Sequence, residues 1–250
     1  MLRIMSTGYD GKMGKIVADT VRADESCELA FTQAREAAIC AQDVKIYENL
    51  ADCDEKADAI IDFSHHANLD NVLGYALRTK TPIVIATTGF NDEELQTIKD
   101  ASKEIPVFFS YNMSLGVNIL VKLVKEAAKL LDGFDIEIIE KHHNRKVDAP
   151  SGTAIMIANA VKEVLPESNF VNGRSGRNCK RQPGDIGISA VRGGTIVGEH
   201  DALFAGDSET ITISHQAQSR QIFANGALAA AKFIADKEPG FYNMDDMLNR

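Results

Sequence analysis

Residues 141–154 read KHHNRKVDAPSGTA, and the first six of them hold two lysines, two histidines and an arginine. The chain around them is acidic, with 36 Asp and Glu against 27 Lys and Arg and a formal net charge of −9. A nucleic acid would select a basic surface, so the stretch should serve something small and anionic. Histidine exchanges protons near neutral pH and lysine holds a carboxylate. His142, His143 and Lys146 therefore fit proton transfer and carboxylate binding. Adjacent histidines on a continuing strand point to opposite sides and so do different jobs. Ser151, Gly152 and Thr153 open a helical pattern, where backbone N–H groups aim at an anion. Asp148 orients a cation or caps the turn, and Pro150 stiffens the approach. A metal site would want an HExxH motif, or a carboxylate or cysteine at ligand spacing, and none is present. A solvated charge run capping a helix is the remaining alternative.

The second motif is GYDGKMG, Gly8 to Gly14, between a strand pattern and a helix pattern. Glycines there let the backbone turn tightly and approach a pyrophosphate, whose charge meets the helix N-terminus. The spacing is GxxGxxG rather than GxGxxG, and a plain βα turn is the alternative. A P-loop is set aside, because Tyr9 stands where that motif needs Gly and Ile16 where it needs Ser or Thr. DFSHH and ATTGF end two further strand patterns with small or polar residues. Ligands of open α/β sheets lie beyond the carboxyl ends of the strands. Ser64, Thr87, Thr88 and Gly89 are thus placed to line a cofactor crevice, while His65 and His66 read as a solvated loop pair.

These motifs need elements to hold them. Up to Asn112, LRIMS, CELAFTQA, DAIIDFS, PIVIATTG and PVFFSYN read as strands, and KIVADTVRAD, NLDNVLGYALRT and DEELQTIKDAS as helices. Short Ile- and Val-rich runs among helices indicate parallel strands covered on both faces, a Rossmann-like doubly wound α/β sheet. SLGVNILVKLVKEAAKLL then reads as a long helix and FDIEIIE as the strand that delivers the basic stretch. SGTAIMIANAVKEVL is a helix opened by a serine, and NGRSGRNCKRQPGD is a mobile loop. IGISAVRGG, TIVGEHDALFAG and ETITISHQAQ follow without helices between them, as an antiparallel set. QIFANGALAAAKFIADK is a last helix, so an α+β domain follows the α/β domain.

The 250 residues, 44% hydrophobic and 25% charged, have the composition of an ordinary globular protein. No apolar run approaches the roughly 18 residues of a membrane span. MLRIMSTGYDG moves straight into a strand pattern with no signal-peptide architecture. Cys27, Cys40, Cys53 and Cys179 lack CxxC spacing, which favours reduced cytosolic thiols over disulfides or zinc. The expectation is a cytoplasmic protein with neither a membrane nor a nucleic-acid partner.

EIIEKHHNRKVDAPSGTA, residues 137–154, resembles the signature of the dihydrodipicolinate reductase family. The likeness runs the length of the chain, through GYDGKMG, ATTGF, YNMSLGVN, VRGGTIVGEH, SHQAQSRQIFANGA and the PGFYNMDDML tail. It implies NAD(P)H-dependent reduction of 4-hydroxy-tetrahydrodipicolinate to tetrahydrodipicolinate in the diaminopimelate/lysine pathway, with hydride to C4 and a proton to C3. The resemblance gives His142 and Lys146 the acid–base positions. It gives His143, Lys146, Ser151, Gly152 and Thr153 the small dicarboxylate substrate. Gly8, Tyr9, Asp10, Gly11, Lys12 and Met13 meet the cofactor, with Ala86, Thr87, Thr88, Ser110, Tyr111, Asn112 and Met113 near the nicotinamide.

The family also implies a dinucleotide-binding domain of residues 1–113 plus 221–250 and a substrate and oligomerisation domain of residues 114–220. The second sheet would be mixed and largely antiparallel and would build a homotetramer, with hinge crossings near Ser114 and Arg220. Ala86 and Cys179 stand where the family often has Gly, and Phe233 where Trp is common. A nicotinamide-binding sensor without catalysis is a second reading, though it would not need both His142 and Lys146. Another reductase of a small dicarboxylate on the same scaffold is a third.

The nucleotide preference turns on the second strand. An acid about 20 residues past the glycine turn accepts the adenosine ribose hydroxyl and favours NADH. Ala34 occupies that place. Arg35 follows, and its guanidinium suits a 2′-phosphate, with Lys12 as a second charge. Glu36 opposes it by one residue's slip, and a solvated Arg35 is the alternative. The expectation is NADPH preferred, with NADH still usable.

Overall fold

The computed structural model describes residues 1–37 and 43–249, so Cys40 lies outside the described residues. Contacts divide the chain into two compact units, Met1–Leu115 with Arg220–Arg250, and Gly116–Ser219.

The first unit is built on a parallel sheet. Its strands are β1 (Leu2–Thr7), β2 (Cys27–Gln33), β3 (Ile46–Tyr47), β4 (Ala59–Asp62), β5 (Ile83–Ile85), β6 (Pro106–Phe109) and β12 (Gly240–Tyr242). They lie in the order β12-β6-β5-β4-β1-β2-β3, all parallel. Every residue of β4, β5 and β6 is buried, because helices cover both faces. One face packs against α1 (Lys12–Arg22) and α6 (Gln221–Ile234), whose Ala224, Ala227, Ala230 and Ala231 are small enough to bring that helix close. The other packs against α2 (Leu69–Thr79) and α3 (Asp92–Ala101), the latter opened by a capping box of Asn91 and Glu94. The strand order reverses between β1 and β4, which is where an open α/β sheet has its crevice. Two strands of this sheet escape the sequence pattern: β3 with two residues and β12 with three are too short to show a period. A short α7 (Met244–Leu248) ends the described chain, capped by Asn243.

The second unit is a five-stranded mixed sheet in the order β11-β10-β7-β9-β8. It comprises β7 (Asp135–His142), β8 (Asn169–Asn172), β9 (Asp185–Arg192), β10 (Gly198–Ala205) and β11 (Thr210–Ala217). The helices α4 (Leu115–Leu130) and α5 (Gly152–Val164) contribute Leu120, Val124, Ile157 and Val161 to a core with Ile136, Ile138, Ile188 and Phe204. The last three strands are an antiparallel set only in part. β9 runs parallel to β7, and β10 pairs antiparallel to β7 on its other edge. β7 needs hydrogen-bond partners on both edges, so it separates strands that follow one another in the chain. Gly193, in the turn between them, donates to the His142 carbonyl at 2.9 Å. The loop expected to be mobile is instead tied to the sheet. Arg174 and Arg181 both reach Glu137, and Arg181 Nε also stands 2.7 Å from Asp135.

Where α6 passes the end of the first-unit core, a Cβ at Gly226 would sit 1.7 Å from the Met113 carbonyl oxygen. Gly226→Ala must therefore move backbone, and should lower the urea midpoint by an amount equivalent to about 1–3 kcal/mol. Gly74, in α2, has nothing within 4 Å of such a Cβ. Gly74→Ala should raise the midpoint by the equivalent of about 0.5–1 kcal/mol. Equal responses would show that the contact at Met113 does not constrain the helix.

Candidate active site

The inner face of β7 changes character along its length. Alternation places Ile136, Ile138, Glu140 and His142 on one side, all buried. The first two join the apolar core, and the last two stand where that core gives way to the N-terminus of α5. Glu140 has no exposed surface. Its Oε2 lies 2.6 Å from His142 Nδ1 and accepts from Arg192 Nη1 at 2.7 Å. Its Oε1 accepts from Arg192 Nη2 at 2.7 Å and from the Ser151 backbone N–H at 3.0 Å. Burial opposes ionisation of Glu140, but Arg192, His142 and Ser151 outweigh it and hold the carboxyl below its ordinary range.

Ser151 is the N-cap of α5, its hydroxyl accepting from Ala154 N–H at 3.2 Å. The same hydroxyl lies 2.9 Å from His200 Nε2. Burial first, then the neighbouring His142, pushes His200 down to about 4. The rings of His142 and His200 lie 5.2 Å apart, edge to face. Ser151 thus commits its N–H to Glu140, which the reading of that turn as three anion-facing N–H groups did not foresee. Gly152 and Thr153 form the first turn of the helix.

His143 leaves β7 on the other side, its Nδ1 buried and without a hydrogen-bond partner. Lys146 Nζ pairs with Asp148 at 2.8 Å, and Lys146 holds that carboxyl below its usual range. Of the two roles read for Asp148, orienting a cation is the one the geometry displays. Among the described residues no group of three His, Cys, Asp or Glu side chains could hold a metal ion.

The glycine turn lies in the first unit. Gly8 has φ +70°, Gly11 N–H donates to the Gly8 carbonyl at 2.8 Å, and Gly11 caps α1. A Cβ at Gly14 would lie 2.0 Å from the Gly8 oxygen, so only glycine lets the helix return this close to the turn. Lys12 and Met13 begin α1, and the exposed Lys12 stands at its N-terminus. Tyr9 turns its ring inward, packing on Ala18 and Ala34 with its hydroxyl near Arg22 and Asp43. Across the switch point Asp62 is buried and accepts from Thr7 Oγ1, from Ser64 Oγ at 2.6 Å and from Ser64 N–H at 3.2 Å.

Gly8, Asp10, Gly11, Arg35, Glu48 and Ser64 are among the residues lining a cleft of about 660 Å³ there. Ala34 is buried, Arg35 is exposed at the mouth 3.7 Å from Glu36, and Glu48 Oε1 accepts from Ala37 N–H at 3.0 Å. Ala86 and Thr87 follow β5, both buried, and Thr87 Oγ1 has no hydrogen-bond partner. Thr88 and Gly89 are exposed beyond them. Ser110, Tyr111, Asn112 and Met113 follow β6; Ser110 Oγ donates to the Asn112 carbonyl at 2.8 Å, and Tyr111 stacks edge-on to Phe109. His66 is no free loop residue, since it pairs with Glu94 at 2.9 Å. A turn closed to side chains, a helix N-terminus and an orphaned buried hydroxyl fit a dinucleotide.

The residues missed by sequence reasoning are Arg192 and His200 in the second unit and Asp62 and Glu48 in the first. Alternation could have found His200, which shares the inner face of β10 with Ala202 and Phe204.

The family model described as dihydrodipicolinate reductase, N-terminus, matches residues 2–113, and its C-terminal counterpart matches residues 116–248. The chain belongs to the dihydrodipicolinate reductase family. The 4-hydroxy-tetrahydrodipicolinate reductase of Caldanaerobacter subterraneus subsp. tengcongensis is 53% identical, over 100% of this chain and 99% of that one. The Clostridium tetani protein of the same name is 45% identical over 100% and 98%. A dipicolinate-bound dihydrodipicolinate reductase from Paenisporosarcina sp. TG-14 superposes with a TM-score of 0.81 at 25% identity, covering 97% of each chain. A probable dehydrogenase from Thermotoga maritima, 13% identical with a TM-score of 0.63, shares the fold. The chain is thus an oxidoreductase of the diaminopimelate/lysine route that reduces 4-hydroxy-tetrahydrodipicolinate, which sets aside the non-catalytic sensor. The Rossmann domain of this reductase serves a nicotinamide dinucleotide, NAD(P)H. No helix is long and apolar enough to cross a membrane among the described residues.

His200 gives the site a pH signature. The buried ring titrates at about 4 and the unfolded imidazole at 6.5. Between those values the unfolded chain binds the extra proton, so stability is complete above pH 6.5 and falls as pH falls towards 4. Glu140 adds a loss of the same sign only below its ordinary 4.5. Urea unfolding should show the wild type losing up to about 3 kcal/mol more than His200→Gln between pH 7 and 4. Equal losses would mean that His200 is not held neutral.

Proposed function

We propose that His142 and Lys146 supply the acid–base chemistry of the reduction, His142 delivering the proton to C3. The supporting observation is the fixed His142 ring, bonded through Nδ1 to a buried carboxylate and set beside the N-terminus of α5. Bound NAD(P)H supplies the hydride that reaches C4. One substrate carboxylate lies against the first turn of α5, at Gly152 and Thr153, where the helix dipole favours negative charge. Ser151 joins them: with His200 Nε2–H donating to its oxygen, the hydroxyl proton is left to point at the substrate. Lys146 exchanges Asp148 for a substrate carboxylate, and His143 Nδ1 is a further partner.

The nucleotide binds with its pyrophosphate at Gly8, Tyr9, Asp10, Gly11, Lys12 and Met13. Ala86, Thr87, Thr88 and Ser110 to Met113 lie towards the nicotinamide. NADPH is preferred and NADH is usable. Exposed Arg35 is available to a 2′-phosphate, while Glu48 brings a carboxylate to the same cleft and suits a ribose hydroxyl. Residues 1–113 with 221–250 form the dinucleotide-binding domain, and residues 114–220 the substrate and oligomerisation domain. The enzyme works in the cytoplasm as a homotetramer. Support for assembly lies in the helix-free face of the second sheet, where Ile139, Val191 and Leu203 stand among Lys141, Glu199 and Asp201.

Loss of absorbance of the reduced nicotinamide, with synthase-generated substrate, tests the chemistry. His142→Ala and Lys146→Ala should each lower kcat by about 10²-fold or more, with cofactor affinity nearly unchanged. Near-normal turnover in both variants would refute the assignment.

The same assay tests the nucleotide. Arg35→Ala should raise the KM for NADPH about tenfold, for one lost charge-assisted contact of about 1.5–3 kcal/mol, and leave the KM for NADH in place. A wild type that prefers NADH, or equal weakening of both cofactors, would show that Arg35 does not read the phosphate.

A further inference from the structure

We propose that Glu140, itself clamped by Arg192, is a positioning residue that turns His142 so that only Nε2 exchanges a proton with the substrate. This deepens the proposal above and rests on His142 being the acid. A carboxylate offers about four acceptor positions, and all four are filled here. Arg192 takes one on each oxygen, His142 Nδ1 takes another on Oε2, and the Ser151 N–H takes the last on Oε1. Glu140 therefore has no lone pair left to receive a proton from elsewhere and acts as a fixed anion. An anion flanked by two cationic N–H groups keeps a proton on the nitrogen facing it. That nitrogen is Nδ1, so the traffic of protons passes to Nε2.

The neighbouring strands agree. In the sheet His142 is level with Arg192 of β9 on one side, and Gly198 opens β10 on the other. A Cβ at Gly198 would lie 3.0 Å from His142 Nε2 and 3.4 Å from its Cδ2. Position 198 leaves Nε2 uncovered because it has no side chain. His200 of β10 also stands beside the ring, edge-on at 5.2 Å between ring centres, and Ser151 reaches Glu140 and His200. Lys146 belongs to the same electrostatic neighbourhood through His200. His200 is held neutral, so it neither competes for Glu140 nor repels a protonated His142 as a second cation would.

Three measurements test this. In ¹⁵N-histidine spectra of the wild type, neutral His142 should carry its proton on Nδ1. Glu140→Gln places an amide NH₂ against Arg192 or His142, so the folded variant should lose about 10²-fold or more in kcat. The acidic limb of its kcat–pH profile should move, with cofactor affinity unchanged. Gly198→Ala removes no donor to Glu140 and crowds the Nε2 edge of the His142 ring, and should lower kcat with little change in unfolding midpoint. If Glu140→Gln fails to fold, the wild-type spectrum and Gly198→Ala decide. A neutral His142 protonated on Nε2 would overturn the proposal. So would wild-type kcat and pH profile in the folded variants while His142→Ala is slow. Normal turnover in His142→Ala would instead refute the underlying assignment of the acid.

Discussion

A carboxylate with no exposed surface sits at the end of a core strand, and much of the second unit is arranged around keeping it ionised. Moving such a group out of water costs several kcal/mol unless donors replace the lost hydration. Glu140 gathers its donors from three elements: His142 on its own strand, Arg192 from β9 and the Ser151 N–H from α5. That requirement fixes where α5 begins over the sheet, why β9 lies parallel beside β7, and which way the His142 ring faces. The orientation of His142, the residue proposed to carry the proton, is thus set by a folding constraint, and the turn that would hold a substrate carboxylate is set by the same one.

The first unit uses the same device with a different result. Asp62 closes β4 as Glu140 nearly closes β7, and it too is buried at the carboxyl end of a central strand. Its partners are hydroxyls and an N–H group, from Thr7 of β1 and from Ser64 just beyond β4. They tie the ends of the two strands that flank the switch point. Gly8 then has to cross close to that junction, where a Cβ would meet the Phe63 carbonyl oxygen at 2.5 Å. The second unit adds a cation, Arg192, which donates to both oxygens of Glu140.

Much of this was legible in the sequence because it is local. The buried parallel strands show as Ile- and Val-rich runs, α5 shows as a serine before an apolar period, and His142, Lys146 and Ser151 fall within one short stretch. What escaped is what only strand pairing brings together. Glu140 and Arg192 are 52 residues apart, and Ser151 and His200 are 49 apart. Strand β9 could have paired with β10, as its position in the chain suggested, and Arg192 would then have stood away from Glu140. Insertion of β7 between them depends on backbone pairing on both edges, which leaves no local periodic signal. The two- and three-residue strands β3 and β12 fail for the opposite reason, being recruited to the sheet edge by neighbours and too short to carry a pattern.

The two residues at the centre of the proposed chemistry stand on different kinds of support. His142 is the last residue of β7, with paired strands on both sides and its ring fastened at one nitrogen. Proton transfer needs the donor within hydrogen-bond reach of the accepting atom, roughly 2.6–3.2 Å, and a misplaced donor loses rate steeply. Lys146 lies four residues on, in a loop steadied by its own N–H to the His143 carbonyl at 3.1 Å and by Asn144 to the Gly194 carbonyl at 3.3 Å. Its ammonium rides on a flexible stem and pairs with Asp148. Holding a carboxylate needs charge more than angle, so a loop is sufficient there. Placing the geometry-sensitive group on the sheet and the charge on the loop would let the site admit its substrate without loosening the residue proposed to carry the proton.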